Sequence, residues 1–161
     1  MIIRDINDLK QLGDTLRQQG KIIVRTNGCF DLLHPGHLKT FEEAKKLGDI
    51  LIVGLNGDKS PYRTSKPGRP IHDISFRSKM LDALADVDYT FVYEEETPIL
   101  PITALLPDVL LKGGDYKVES IVGYDIVTAN GGQVVTVPLE GDYSTTNIIH
   151  KILATYETHD K

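Results

Sequence analysis

Two histidines three residues apart, His34 and His37, close the string RTNGCFDLLHPGH that starts at Arg25. Pro35 between them suits a first helical turn, so both imidazoles can project into the same space at a helix N-terminus. Free amide groups and the helix dipole favour an anion there. Imidazoles are suited to phosphate oxygens that gain charge as a bond breaks. A metal site of Cys29, His34 and His37 is the alternative, and it lacks an obvious fourth ligand. Ser144, Thr145 and Thr146 open the last helical segment, where three hydroxyls in a row exceed the needs of one helix cap and can also hold phosphate. Residues 59–79 add six basic side chains (Lys59, Arg63, Lys66, Arg69, Arg77 and Lys79) against one acid, Asp73. Such a local surplus suits a polyphosphate. Gly113 and Gly114 permit close backbone approach to a ligand, and Asp115 beside them is a candidate hydroxyl acceptor.

The elements that must position these groups alternate in period. Ile6, Leu9, Gly13 and Leu16 mark a helix that Gly20 ends, and residues 21–26 read as a buried β-branched strand. The histidine string follows that strand directly. Pro35, Leu38, Phe41, Ala44 and Leu47 continue as a helix to Gly48, and 49–56 is a second strand. Residues 59–70, with Pro61, Pro67, Gly68 and Pro70, read as a loop. Phe76, Met80, Leu81 and Leu84 predict a helix before a strand at 89–93. Thr97-Pro98 begins a short helix, 109–112 is a strand, and Ile121, Val122, Ile126 and Ala129 form a helical stripe. After a fifth strand at 134–137, Ser144 caps a last helix whose predicted buried face is Ile148, Ile149, Ile152 and Leu153. This alternation predicts one α/β Rossmann-like domain over 1–161. A five-stranded parallel sheet carries helices on both faces, and a short N-terminal helix at 5–20 packs on it. Ligands of such sheets bind beyond the carboxyl ends of the strands, where strand order reverses. Neither a GxGxxG loop nor the glycine-spaced lysine loop of P-loop enzymes occurs.

Composition narrows the function class. The 161 residues, 40% hydrophobic, suit one globular domain, and a net charge of −5 argues against a general nucleic-acid binder. Cys29 is the single cysteine, so neither a disulfide framework nor a cysteine zinc cluster is expected. The N-terminal ten residues do not read as a signal peptide, and no apolar run approaches a membrane span. A cytoplasmic protein without a membrane partner is expected, with a frayed tail at 157–161.

The string GCFDLLHPGH at this place in an α/β chain resembles the GxFD…HxGH signature of the cytidylyltransferase-like nucleotidyltransferases, over about residues 21–152. RPI followed by Arg77, then LKGGDY at 111–116 and YSTTNII at 143–149, resemble more narrowly the stand-alone D-glycero-β-D-manno-heptose 1-phosphate adenylyltransferases. In the family's usual pattern a lysine precedes the RP pair; here Ser65 holds that place and Lys66 adjoins it. The arginine usual before STT in glycerol-3-phosphate cytidylyltransferases is replaced by Leu139, Glu140, Gly141 and Asp142.

The resemblance implies AMP transfer from ATP, with Mg²⁺, to the heptose 1-phosphate, for lipopolysaccharide core or related glycan synthesis. It implies a sugar kinase on a separate chain and a homo-oligomer. His34, His37, Arg77 and Lys66 would be catalytic, the two basic residues holding the leaving pyrophosphate. Thr26, Gly28, Cys29, Phe30, Gly113, Asp115, Ser144, Thr145 and Thr146 would bind the nucleotide, and Asp31 and Arg69 the sugar phosphate. No metal ligand is assigned, although Asp58 is a candidate for the metal or the ribose. A cytidylyltransferase acting on a polyol phosphate and a non-catalytic nucleotide-binding module stay open as alternatives.

Overall fold

Six parallel strands form one sheet in the order β1-β4-β3-β2-β5-β6. They are β1 (Ile2–Ile3), β2 (Ile23–Gly28), β3 (Ile50–Asn56), β4 (Tyr89–Tyr93), β5 (Val109–Gly113) and β6 (Gln133–Val137). The computed structural model describes residues 1–61, 68–138, 141 and 143–156. Its helices are α1 (Ile6–Gln18), α2 (Pro35–Leu47), α3 (Ile74–Asp82), α4 (Ile99–Leu105), α5 (Tyr124–Ala129) and α6 (Thr145–Tyr156), with a 3-10 turn at Val118–Ser120. No helix among the described residues is long and apolar enough to cross a membrane.

Strand pleat divides the core. Val24, Leu51, Val53 and Val92 face one way and pack with Phe41 and Ala44 of α2 and Leu81 of α3. Ile23, Ile52 and Phe91 face the other way, onto Leu9 and Leu16 of α1 and Leu105 of α4. A smaller cluster joins Ile102, Leu110 and Val127 under α5. Three aspartates tie neighbouring strands together at their amino ends. Asp49, Asp88 and Asp108 accept hydrogen bonds from the backbone N–H groups of Ile22, Leu51 and Ile23 at 2.8, 2.7 and 2.7 Å.

Strand order reverses between β2 and β5, since the chain leaves β2 for β3 on one side and later returns to β5 on the other. The carboxyl ends of these two strands, Gly28 and Gly113, therefore flank the expected crevice.

Two sequence-based expectations are corrected. The sheet has a sixth strand, because β1 pairs Ile2 with Thr90 and Ile3 with Phe91. Two residues are too few to show a strand period. The apolar stripe of α6 is not buried, Ile152 and Leu153 each being 48% exposed. Periodicity identifies an apolar face without saying what covers it. The helix predicted from Phe76, Met80, Leu81 and Leu84 is α3, in which Leu81 is buried while Phe76 and Met80 are exposed. The expected loop at 59–70 lies only partly, and the tail at 157–161 not at all, within the described residues.

Candidate active site

A cavity of about 650 Å³ opens at the strand-order reversal, and its lining includes Gly28 and Gly113. Pro35 starts α2, and His34 is its extended N-cap residue without a side-chain cap bond. The His34 and His37 rings stack face to face, with centroids 3.7 Å apart. Gly36 leaves room for this stack, since a Cβ there would lie 3.2 Å from His34 Cε1 and Nδ1. The His37 ring also meets the edge of Phe30 at 5.1 Å. Burial, and secondarily the charge of His34, pushes His37 down to about 3. Burial likewise lowers His34, partly offset by a backbone hydrogen bond. Both imidazoles are therefore uncharged near neutral pH and available as N–H donors. Neither buried Nδ1 has a hydrogen-bond partner among the described residues.

Ser144, Thr145 and Thr146 line the same cavity. Ser144 Oγ accepts the Asn147 N–H at 3.0 Å, the expected cap, and Thr145 Oγ1 donates to the Leu32 carbonyl at 3.4 Å. The histidine loop and the start of α6 are thereby stitched together. Thr26, Cys29, Phe30, Asp31 and Arg69 also reach the cavity wall.

Other expected site residues are placed differently. Arg77 is internal, with its Nε and terminal nitrogens donating to the carbonyls of His72, Cys29 and Asn56 and to the Asp58 carboxylate at 2.6 Å. It is 1% exposed and does not line the cavity. With these bonds it braces the loop after β2 against β3 and α3. Asp58, which also accepts the Ile74 N–H, belongs to the same brace. The Asp31 carboxylate accepts the N–H groups of Ile71 and His72 and pairs with Arg69 at 3.3 Å. Its oxygens thus hold the 69–72 segment at the cavity wall. Asp115 is exposed and outside the cavity lining. Lys66, Arg63 and the 139–140 and 142 positions before STT lie outside the described residues.

Asn27, Asn56, Tyr93 and Lys112, which also line the cavity, were not singled out by sequence. Strand parity carries the missing signal, because Asn27 is two residues beyond Arg25 and projects to the α1 side. Arg25 itself is fully buried, and its three guanidinium nitrogens have no hydrogen-bond partner among the described residues. Burial pulls it down to about 10, which leaves it charged at neutral pH. Burial also raises the Tyr93 phenol to about 12, against the charge of Arg25 and, less, hydrogen bonds with Asn56 and Asn27, so it stays protonated.

No group of three or more His, Cys, Asp or Glu among the described residues is placed to hold a metal ion. The three-residue site of Cys29, His34 and His37 is therefore not formed among the described residues.

The model of the cytidylyltransferase-like family matches residues 25–151. The bifunctional protein HldE of Haemophilus ducreyi is 51% identical over 146 residues, which is 91% of this chain and 31% of that protein. HldE of Syntrophotalea carbinolica is 46% identical over 155 residues, 96% of this chain and 32% of that one. The chain thus spans about a third of the length of these relatives. Among solved structures, the lipopolysaccharide core biosynthesis protein of Thermoplasma volcanium superposes with a TM-score of 0.62 and 30% identity, over 78% of this chain and 100% of that chain. Pantoate-beta-alanine ligase of Francisella tularensis has a TM-score of 0.65 over 98% of this chain and 78% of its own. At 16% identity, that likeness supports the fold alone. The matched span contains the histidine string, the strand-order reversal and the hydroxyl-rich start of α6: the chain belongs to the cytidylyltransferase-like family.

Proposed function

We propose that the chain transfers AMP from ATP to D-glycero-β-D-manno-heptose 1-phosphate, giving ADP-heptose and pyrophosphate. The observation that carries this is the uncharged, stacked pair His34–His37 at the start of α2, sharing one cavity with Ser144, Thr145 and Thr146. The high identity to HldE proteins along nearly the whole chain supports the sugar and the nucleotide. ADP-heptose would serve lipopolysaccharide core or related glycan synthesis, in the cytoplasm where ATP is made available.

An oxygen of the sugar's phosphate attacks the α-phosphorus of ATP, and the bond to the β-phosphate oxygen breaks, its electron pair leaving with pyrophosphate. The nucleophile has its second pKa near roughly 6, so it is already ionised at neutral pH and requires no general base. Catalysis then rests on positioning and on charge stabilisation. His34 and His37 donate N–H bonds to the triphosphate as charge moves onto the leaving group, and the first amides of α2 assist. Ser144, Thr145 and Thr146 hold phosphate from the opposite wall. Thr26, Gly28, Cys29, Phe30 and Gly113 shape the nucleotide's path along the strand ends. Mg²⁺ enters with ATP as part of the substrate. Arg69 lines the cavity while paired with Asp31.

Pyrophosphate release across ATP, CTP and GTP, each with sugar and polyol phosphates, tests the assignment. ATP with the heptose 1-phosphate is expected to react fastest. Faster reaction of CTP with glycerol 3-phosphate would replace it with a polyol phosphate cytidylyltransferase. No release with any pair would indicate a nucleotide-binding module.

A further inference from the structure

The cavity contains two described cations on its wall, Arg69 and Lys112. Arg69 is committed to Asp31. Lys112, by contrast, makes no ion pair and no hydrogen bond among the described residues, and its Nζ lies 5.7 Å from the centre of the Tyr116 ring. Tyr116 is itself 52% exposed, so this ring does not shut the lysine away from the cavity. Burial lowers the Lys112 ammonium from its usual range. A half-buried cation kept without a counter-ion is costly unless a ligand supplies the opposite charge.

Its position separates it from the histidines. Val24 pairs with Val109 and Arg25 with Leu110, so two steps on, Lys112 lies beside Asn27. Leu111 packs into the core beneath α2, and Lys112 therefore points to the opposite side of the sheet. Along that side, at the carboxyl edge, stand Asn27, Asn56 and Tyr93, which bring amide and hydroxyl groups suited to sugar hydroxyls. Buried Arg25 lies one step behind Asn27 on the same side, and it adds a second positive charge with no hydrogen-bonded partner among the described residues. Cys29, at the tip of β2, lies between this end and the histidines, close enough to Lys112 and Tyr93 to influence both electrostatically.

We propose that this end of the cavity is the acceptor subsite, in which the Lys112 ammonium binds the phosphate of the sugar 1-phosphate and directs its oxygen toward the α-phosphorus held at the histidines. The proposal rests on the adenylyl-transfer reading given above. It divides one cavity into a nucleotide end on the α2 side and a phosphomonoester end on the α1 side. Cys29 and Gly28 mark the meeting point, where the new bond forms.

The test uses Lys112→Met, which keeps length and removes charge, and Lys112→Arg, which keeps charge. Thermal unfolding first establishes that both fold as the wild type does. Calorimetric titration then measures binding of heptose 1-phosphate, and separately of inorganic phosphate, to each protein saturated with an α,β-methylene ATP analogue. Steady-state rates give the KM for each substrate. A lost charge-assisted contact is worth about 10- to 100-fold. Lys112→Met is expected to weaken both phosphate ligands and raise the acceptor KM by about that factor, with ATP-analogue affinity changed less than about twofold. Lys112→Arg should recover most of the acceptor affinity. Unchanged phosphate binding in Lys112→Met, or an equal loss of nucleotide affinity, would overturn the subsite. A wild type that binds inorganic phosphate through Lys112 but not heptose 1-phosphate would uphold the subsite while overturning the sugar assignment.

Discussion

Burial, more than the neighbouring ring, keeps His37 uncharged in the folded protein, and this has a consequence for stability. An unfolded histidine takes up a proton below about 6.5, whereas the folded His37 resists until about 3. The unfolded state therefore binds more protons in this interval, and stability falls as pH drops through it, by at most about 1.4 kcal/mol per pH unit for this one group. Urea midpoints measured from pH 7 to pH 4 should fall less steeply in His37→Gln than in the wild type. Parallel curves would contradict the burial assigned to this ring. Separately, His37→Ala should keep the fold and lower kcat by at least roughly a hundredfold, as for loss of a group stabilising transition-state charge. Arg77 contrasts with it. Removing this guanidinium leaves the Asp58 carboxylate and three carbonyls without their donor, so Arg77→Met should cost about 3–5 kcal/mol. A thermal midpoint equal to wild type would show the brace to be dispensable. The role of Arg77 was hidden in the sequence because its partners are backbone carbonyls 48 and 21 residues away. A basic loop residue and an internal brace look the same in one dimension. That His34, His37 and the serine–threonine run stand at helix starts was legible because each placement is set by local sequence.

Among the elements, the parallel sheet was readable from its alternation of β-branched runs and helical stripes, with β4 at 89–93 as predicted. β1 was not, and neither was the exposure of α6. The first is too short to carry a period, and the second depends on tertiary cover rather than on local pattern. Register depends on Asp49, Asp88 and Asp108, each of which bonds a backbone N–H at the start of an adjacent strand. Asp108 stands just before β5 and fastens it to β2, the two strands that flank the cavity. Asp108→Ala leaves the Ile23 N–H without this acceptor in a part-buried place and should cost about 1–3 kcal/mol. Chemical denaturation checks this, with amide exchange at Ile23 expected to quicken in the variant. Unchanged stability and protection would remove Asp108 from the account of how the two strands align.

At the scale of the whole molecule, a net charge of −5 coexists with a cavity proposed to take two anionic substrates. On the proposed function the contrast is resolved by placement: uncharged imidazoles, helix-start amides and hydroxyls line one part of the cavity for the triphosphate, and Lys112 stands on the other side of the sheet edge. One cavity at a single strand-order reversal is then proposed to bring two phosphate-bearing substrates end to end. The most direct measurement of that arrangement follows the oxygen that joins them. Heptose 1-phosphate carrying ¹⁸O on its phosphate is incubated with MgATP, and the products are weighed by mass spectrometry. Attack of the sugar phosphate on the α-phosphorus predicts that ADP-heptose retains all the label and that pyrophosphate has none. Formation of ADP with a labelled sugar diphosphate, label in the pyrophosphate, or no product at all would contradict AMP transfer to the heptose phosphate.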